Sequence, residues 1–467
     1  MTAGADAPTR VLQAGLVATA LALGLLAGLK PLYAIAAAVG LAFIVLALAD
    51  LAVGVALFSA LAALDILPAP GGFSLAKLLG LVVVISWVAT LAVRHDSDFL
   101  TAHPYVSYVL FAFVIWAAIS AIWAEVPKSA LEASYRYGLN AVLLMIMFTA
   151  VRERRHIKWV LAAFCVGVAM AAMYGFFAPP PPSAAGRLES EGLNADELAT
   201  ALVAGAAVAG AFAVAWRGKP IIRFLAFALV VTCLVGILLT ASRAGLVALA
   251  VALIASVGVG GRRRGLAAVG LVVLSLACVG YFAWLAPPDA VEHVTHTGGG
   301  TGRTTIWAVG WRMVEAHPFT GIGADNFQIS SIHYLLRPGA LTRTDFIVEK
   351  PKVAHNTYLE VLATLGIVGL LMFLSILAFA IRQTVRAVRS FARRGDYKME
   401  MLARGVLVAT FATLASDFFA SEQFSKQLWL LLALGPAMAA VARRRESGLA
   451  EEGPEAALPA ELRPSHA

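Results

Sequence analysis

Three basic residues stand at the edges of apolar segments, where their types and placement could do chemistry. Arg243, in Leu239-Thr240-Ala241-Ser242-Arg243-Ala244-Gly245, falls between two apolar blocks with almost no loop. An ionisable group in such a place is costly and is a functional candidate by default. Two readings are open: an arginine snorkelling to headgroups, or a guanidinium aimed into a cavity to hold a phosphate. Arg303, in Gly302-Arg303-Thr304-Thr305-Ile306-Trp307, stands just ahead of a helical pattern, as a solvated loop residue or as a second anion ligand. The glycines before it are not a P-loop, because no Gly-Lys-Ser/Thr follows. His355, in Ala354-His355-Asn356-Thr357-Tyr358-Leu359-Glu360, sits at the mouth of an apolar block with Glu360 five residues on. A histidine there can be a structural hydrogen-bonder. Beside two arginines and a carboxylate, a group titrating near neutrality also suits general-base work on a sugar hydroxyl.

A second tier of polar residues lies near these three. It comprises Arg136 (in Tyr135-Arg136-Tyr137), Arg187, Asn356, Tyr358 and Glu360. Asn194 and Glu197 border the Arg187 segment, and Asp417 and Glu422 are expected to pair with the basic groups. His317 precedes Pro318 and reads as a helix end. His293, His296 and His333 lack metal-ligand spacing, as do Cys165, Cys233 and Cys278, which read as core residues. No metal and no cofactor is expected.

The elements that must position these residues are membrane helices. The chain has 467 residues, 60% hydrophobic and 14% charged. Its apolar residues come in fourteen blocks, from 11–28 to 427–443, each roughly the 17–25 residues that cross a bilayer as helix. They do not alternate as barrel strands would. The first three are separated only by Lys30-Pro31 and Asp50, so the expected fold is an all-α integral membrane protein of about 12–14 transmembrane helices. The net charge of +8 is spread over short loops such as Arg152–Arg155, Arg217–Lys219, Arg262–Arg264, Arg382–Lys398 and Arg443–Arg445. These fall on one side, which is cytoplasmic by the positive-inside rule, with both termini. Nucleic acid is an unsuitable partner, since no basic face with interleaved aromatics exists.

The opposite side carries one long loop, 287–354, too long for a connector. Its pattern predicts a helix over Thr304–Ala316, with Trp307, Trp311 and Val314 on one face, and a second over Asn326–Leu336. The expected organisation is membrane helices over 1–286, this loop over 287–354, membrane helices over 355–445, and a disordered tail over 446–467.

Four motifs in this order resemble the O-antigen ligase and O-antigen polymerase superfamily. They are Ser242-Arg243; Gly302-Arg303 with Trp307; His317-Pro318 with Gly321-Ile322-Gly323 and Asn326-Phe327; and His355-Asn356-Thr357-Tyr358-Leu359-Glu360 running into Leu365-Gly366-Ile367-Val368-Gly369. The resemblance covers about residues 185–375 and departs from the family's usual Pro-Asn pair at Leu193-Asn194. It implies a metal-independent, inverting membrane glycosyltransferase of the GT-C type. His355 would be general base, and Arg243 and Arg303 would hold the diphosphate. The donor would be a glycan on undecaprenyl diphosphate, and the acceptor lipid A-core in a ligase or another lipid-linked chain in a polymerase. The site would face the periplasm from the bacterial inner membrane. A transporter or flippase would instead favour midplane charges and paired broken helices.

Overall fold

The computed structural model describes residues 19–22, 24–61, 75–93, 99–177, 187–190, 193–261, 264–295, 303–335 and 352–451. Among them the chain is helical, with no strand and a single isolated bridge between Ser190 and Leu193. Seven helices are long and apolar enough to cross a membrane, and five shorter apolar ones, Arg243–Val259 included, accompany them. This is the multi-pass all-α membrane protein that composition predicts. The helix Lys426–Glu451 continues past Arg445, where the sequence suggested a tail to begin. The Gly298–Gly300 run, and residues 336–351 and 452–467, lie outside the described residues.

Ala195–Ala215 is the central helix. It is rich in alanine and glycine, and small side chains let backbones approach closely where hydrophobicity alone drives no association. It packs against Pro220–Thr240, Arg243–Val259 and Tyr397–Ser416. Thr200 Oγ1 and Ser416 Oγ meet at 2.5 Å across one of these contacts.

The long helix Thr357–Arg393 is broken at Gly366 (φ 68°, ψ −173°). In apolar surroundings each freed backbone group costs several kcal/mol unless it is paired. Here the turn after His317 pairs them. Ile322 N donates to Ala363 O (3.0 Å), Gly323 N to Thr364 O (2.9 Å), and Ile367 N to Pro318 O (2.9 Å). The Trp116 indole donates to Leu365 O at 2.9 Å. The approach is so close that a Cβ on Gly366 would lie 2.1 Å from Phe319 O, and one on Gly321 (φ 66°) 2.3 Å from Thr364 C. The same turn is fastened to the Trp123–Pro127 corner: Ala324 N donates to Ser120 Oγ (2.9 Å), and Val126 N to Asn326 Oδ1 (2.8 Å).

Both loop helices form, as Arg303–Ala316 and Phe327–Leu335. The first ends one residue before His317 as expected, but its buried face differs. Ile306, Val309 and Met313 are inside, whereas Trp311 is 57% exposed. The reason is the Trp307 indole, which stands at the helix edge to donate to Ala354 O at 3.0 Å.

The break sets a test. Gly366→Ala and Gly321→Ala each meet backbone at under 2.5 Å, whereas Gly395→Ala, at φ 66° but in open space, carries only the left-handed penalty of about 1–2 kcal/mol. Thermal unfolding of the detergent-solubilised protein should place both site-end variants well below Gly395→Ala; equal melting temperatures would refute the clasp.

Candidate active site

Asp196 gathers the basic residues. It lies in the first turn of Ala195–Ala215, a helix capped by Asn194, whose side chain accepts from Asp196 N (2.9 Å) and Glu197 N (3.0 Å). That cap and the returning Glu197 carboxylate aim Asp196 at the end of Pro220–Thr240. There Ala241 takes a left-handed turn (φ 44°) into Ser242, the cap of the Arg243 helix. Ser242 Oγ donates to Asp196 Oδ1 at 2.6 Å and accepts from Gly245 N at 3.0 Å. Arg187 donates from Nη2 to Asp196 Oδ1 (3.1 Å) and from Nε to the Thr240 carbonyl (2.8 Å). Arg303 donates from Nη2 to Asp196 Oδ2 at 2.8 Å. Both guanidiniums are about four-fifths buried at these contacts. Arg243 is the first residue of its helix and half-buried. Two guanidiniums thus meet at the N-terminal end of the Arg243 helix, where the helix dipole favours an anion.

His355 stands beside this cluster. Its backbone is left-handed (φ 48°), a conformation costing a non-glycine residue about 1–3 kcal/mol and found where structure over-determines it. The over-determination is visible at Ala354. Its carbonyl accepts from Trp307 and its N–H donates to Glu360 Oε2 at 3.2 Å. Glu360 is itself buried and holds Ser421 Oγ and Gln423 Nε2, the latter at 3.0 Å. Thr357 N meets the carbonyls of Asp417 (2.8 Å) and Ala420 (2.9 Å). Burial pushes the imidazole pKa down to about 4. Arg303 and Lys352 reinforce that shift, and Asp196 opposes it. The sequence suggested a group titrating near neutrality; the structure holds His355 firmly neutral, with a nitrogen lone pair able to accept a proton.

The second-tier residues divide. Arg187 joins Arg303 at Asp196, and Glu360 positions Ala354. Asn356 caps the following helix through Leu359 N (3.0 Å), and Tyr358 donates to Leu414 O (2.7 Å). Arg136 lies apart from the cluster, 3.8 Å from Asp325 and over the Phe424 ring. Asp417 does not pair with a basic group among the described residues. Its carboxylate is buried with neither oxygen hydrogen-bonded, and burial raises its pKa well above the usual range. Glu422 faces Glu197 and is likewise pushed up, by burial first and then by that carboxylate.

Residues 228–374 match the family model described as O-Antigen ligase. A curated O-antigen ligase of Pseudomonas aeruginosa is 28% identical over 289 residues, which is 60% of this chain and 65% of that protein. Both matches support the O-antigen ligase/polymerase superfamily. The matched segment contains Arg243, Arg303, His355 and the Gly366 break, whereas Arg187 and Asp196 precede it.

Asp196 was the residue sequence reasoning missed. An acidic residue two places after an Asn cap reads as compensation for the helix dipole. Its partners lie 9, 46 and 107 residues away, beyond any local pattern. Removing its charge leaves two guanidiniums facing each other, at a cost of about 1–3 kcal/mol. Asp196→Asn should melt lower than the parent protein and recover more stability than the parent does from millimolar pyrophosphate, which can replace the lost charge. An equal response in both proteins would refute an anion site at this carboxylate.

Proposed function

We propose that this protein moves a glycan from undecaprenyl diphosphate to an acceptor hydroxyl, in the manner of an O-antigen ligase, at a site facing the periplasm. The observation that carries the reading is the meeting of Arg187 and Arg303 on Asp196 beside a neutral His355.

In this reading Arg187, Arg243 and Arg303 take the diphosphate of the donor. Asp196 is the counter-ion of Arg187 and Arg303 and yields to the stronger charge. Guanidiniums set in place before reaction stabilise charge developing on the leaving oxygen, and losing one such donor costs about 10²–10³ in rate. The acceptor oxygen attacks the anomeric carbon while His355 takes its proton. The bond from that carbon to the diphosphate oxygen breaks, undecaprenyl diphosphate leaves with the bonding pair, and the anomeric configuration inverts. His355 then returns its proton to solvent or to the diphosphate. The positive charge carried by the arginines lets the step run without a metal ion.

A base of pKa about 4 is a weak proton acceptor at neutral pH, where the best catalytic pKa lies near the working pH. The bound diphosphate corrects this. Placed between Arg303 and the imidazole, its negative charge opposes Arg303 and Lys352, which add to the burial that holds the pKa down, so the base strengthens when the donor arrives.

Lipid A-core is the acceptor that fits ligation; a second lipid-linked chain would make the same chemistry a polymerase. Transport is disfavoured. Inverted-repeat transporters use broken helices to line a midplane site, whereas the break at Gly366 is filled by the chain's own turn.

His355→Ala should insert and melt normally yet transfer glycan at least about 10²-fold more slowly; full activity would end the general-base role. Protonation blocks the base, so activity falls as pH drops through the folded pKa. For the free enzyme kcat/KM should hold on the acid side until pH approaches 4, and kcat should begin to fall at a higher pH. Coincident acid limbs would contradict the substrate-strengthened base. In a deletion strain, ligase loss leaves long glycan on its lipid carrier and bare core, and polymerase loss leaves single repeats on core. Unchanged surface glycan would overturn both.

A further inference from the structure

A cavity lies outside the Asp196 cluster, around the Trp123 corner. It measures about 560 Å³ and is lined by Trp123, Glu125, His317, Thr320, Ser330 and His333, with Gly321, Ile322 and Tyr334 completing the wall. That volume is within the roughly 300–1,000 Å³ of cavities that hold small ligands. Its walls select among ligand classes. Among the described residues no lysine or arginine lines it, which disfavours a phosphate. Ile322 is its one aliphatic side chain, which disfavours a lipid tail. An indole, two imidazoles, a carboxylate and three hydroxyls are what a sugar ring needs: an aromatic face for its C–H surface, and donors and acceptors for its hydroxyls.

Two of these groups are prepared for a ligand. The Trp123 Nε1–H is buried and has no hydrogen-bond partner among the described residues. A buried donor left unmade is costly and rare, and a ligand oxygen that displaces the atoms covering it would satisfy it. The ring is held by Trp116, 5.7 Å between centroids. Glu125 is the matching acceptor. Ser330 Oγ donates to Oε2 at 2.7 Å, and His333 Nε2 lies 2.9 Å from Oε1. These bonds hold its pKa below the usual range, so it stays an anion. Each oxygen has lone pairs to spare for a hydroxyl.

The cavity is also tied to the candidate active site. Its Thr320–Ile322 wall belongs to the turn that fills the Gly366 break, and the helix entering that break begins two residues after His355. The cavity wall is therefore rigidly connected to His355 through that helix.

We infer that this cavity is a glycan subsite. It takes a ring of the sugar chain remote from the bond being exchanged, with the ring against Trp123 and its hydroxyls on Trp123 Nε1, Glu125 and the two histidines. This rests on the glycosyl-transfer reading and adds to it where substrate length and sugar identity are sensed.

The test uses the full-length purified protein, and as probe the soluble oligosaccharide released by mild acid from the strain's own surface glycan. Trp123→Phe keeps the ring and removes the N–H; Glu125→Gln keeps the shape and removes the charge. Calorimetry should give each variant an oligosaccharide Kd about 3–10-fold weaker than the parent, the loss expected for one hydrogen bond. In transfer assays KM for the glycan substrate should rise by the same factor, with kcat changed less than about twofold. Unchanged Kd and KM in both variants, or no binding to the parent protein at millimolar oligosaccharide, would overturn the subsite. Should Trp123→Phe fail to fold, Glu125→Gln alone decides, since its side chain is 40% exposed. Failure of the parent reading looks different: His355→Ala would retain transfer while the oligosaccharide still bound through Trp123 and Glu125.

Discussion

The Asp196 carboxylate is the interaction on which this site depends. Two guanidiniums brought together in partly apolar surroundings repel each other and are poorly solvated, so they need a fixed anion between them. Asp196 supplies it with one oxygen for each, 3.1 Å to Arg187 and 2.8 Å to Arg303. Ser242 shares the first oxygen. Three separate stretches of chain thereby converge on one side chain. An arrangement that needs an anion at rest can exchange it for another, and a diphosphate carries more charge than a carboxylate. The structural and functional demands are met by the same three residues.

The second constraint is backbone satisfaction. His355 keeps a left-handed conformation because Ala354, just before it, is bonded at both polar groups. Glu360 supports that contact one helical turn below and extends it to Ser421 and Gln423. Farther along the same helix, the break at Gly366 is closed by the turn from Pro318 to Gly323. The imidazole is thus placed by bonds that run outward from the broken helix to the Trp123–Pro127 corner.

Much of this was legible in sequence. Long apolar blocks gave the helices, because hydropathy over a bilayer's thickness is a local property. Arg243, Arg303 and His355 stood out because ionisable groups at apolar edges need a reason. The break at Gly366 was hidden, since Leu365-Gly366-Ile367-Val368-Gly369 reads as continuous helix and its partners lie about fifty residues upstream. Asp196 was hidden for the same cause. The buried face of the Arg303 helix is not the one that Trp307, Trp311 and Val314 share in the sequence pattern, because Trp307 serves as a donor at the rim.

The most direct measurement is a structure of the purified protein with undecaprenyl diphosphate bound. The account predicts the diphosphate among Arg187, Arg243 and Arg303, with at least one guanidinium drawn off Asp196 and His355 facing the terminal phosphate. A diphosphate held elsewhere, with both Asp196 pairs intact, would contradict it.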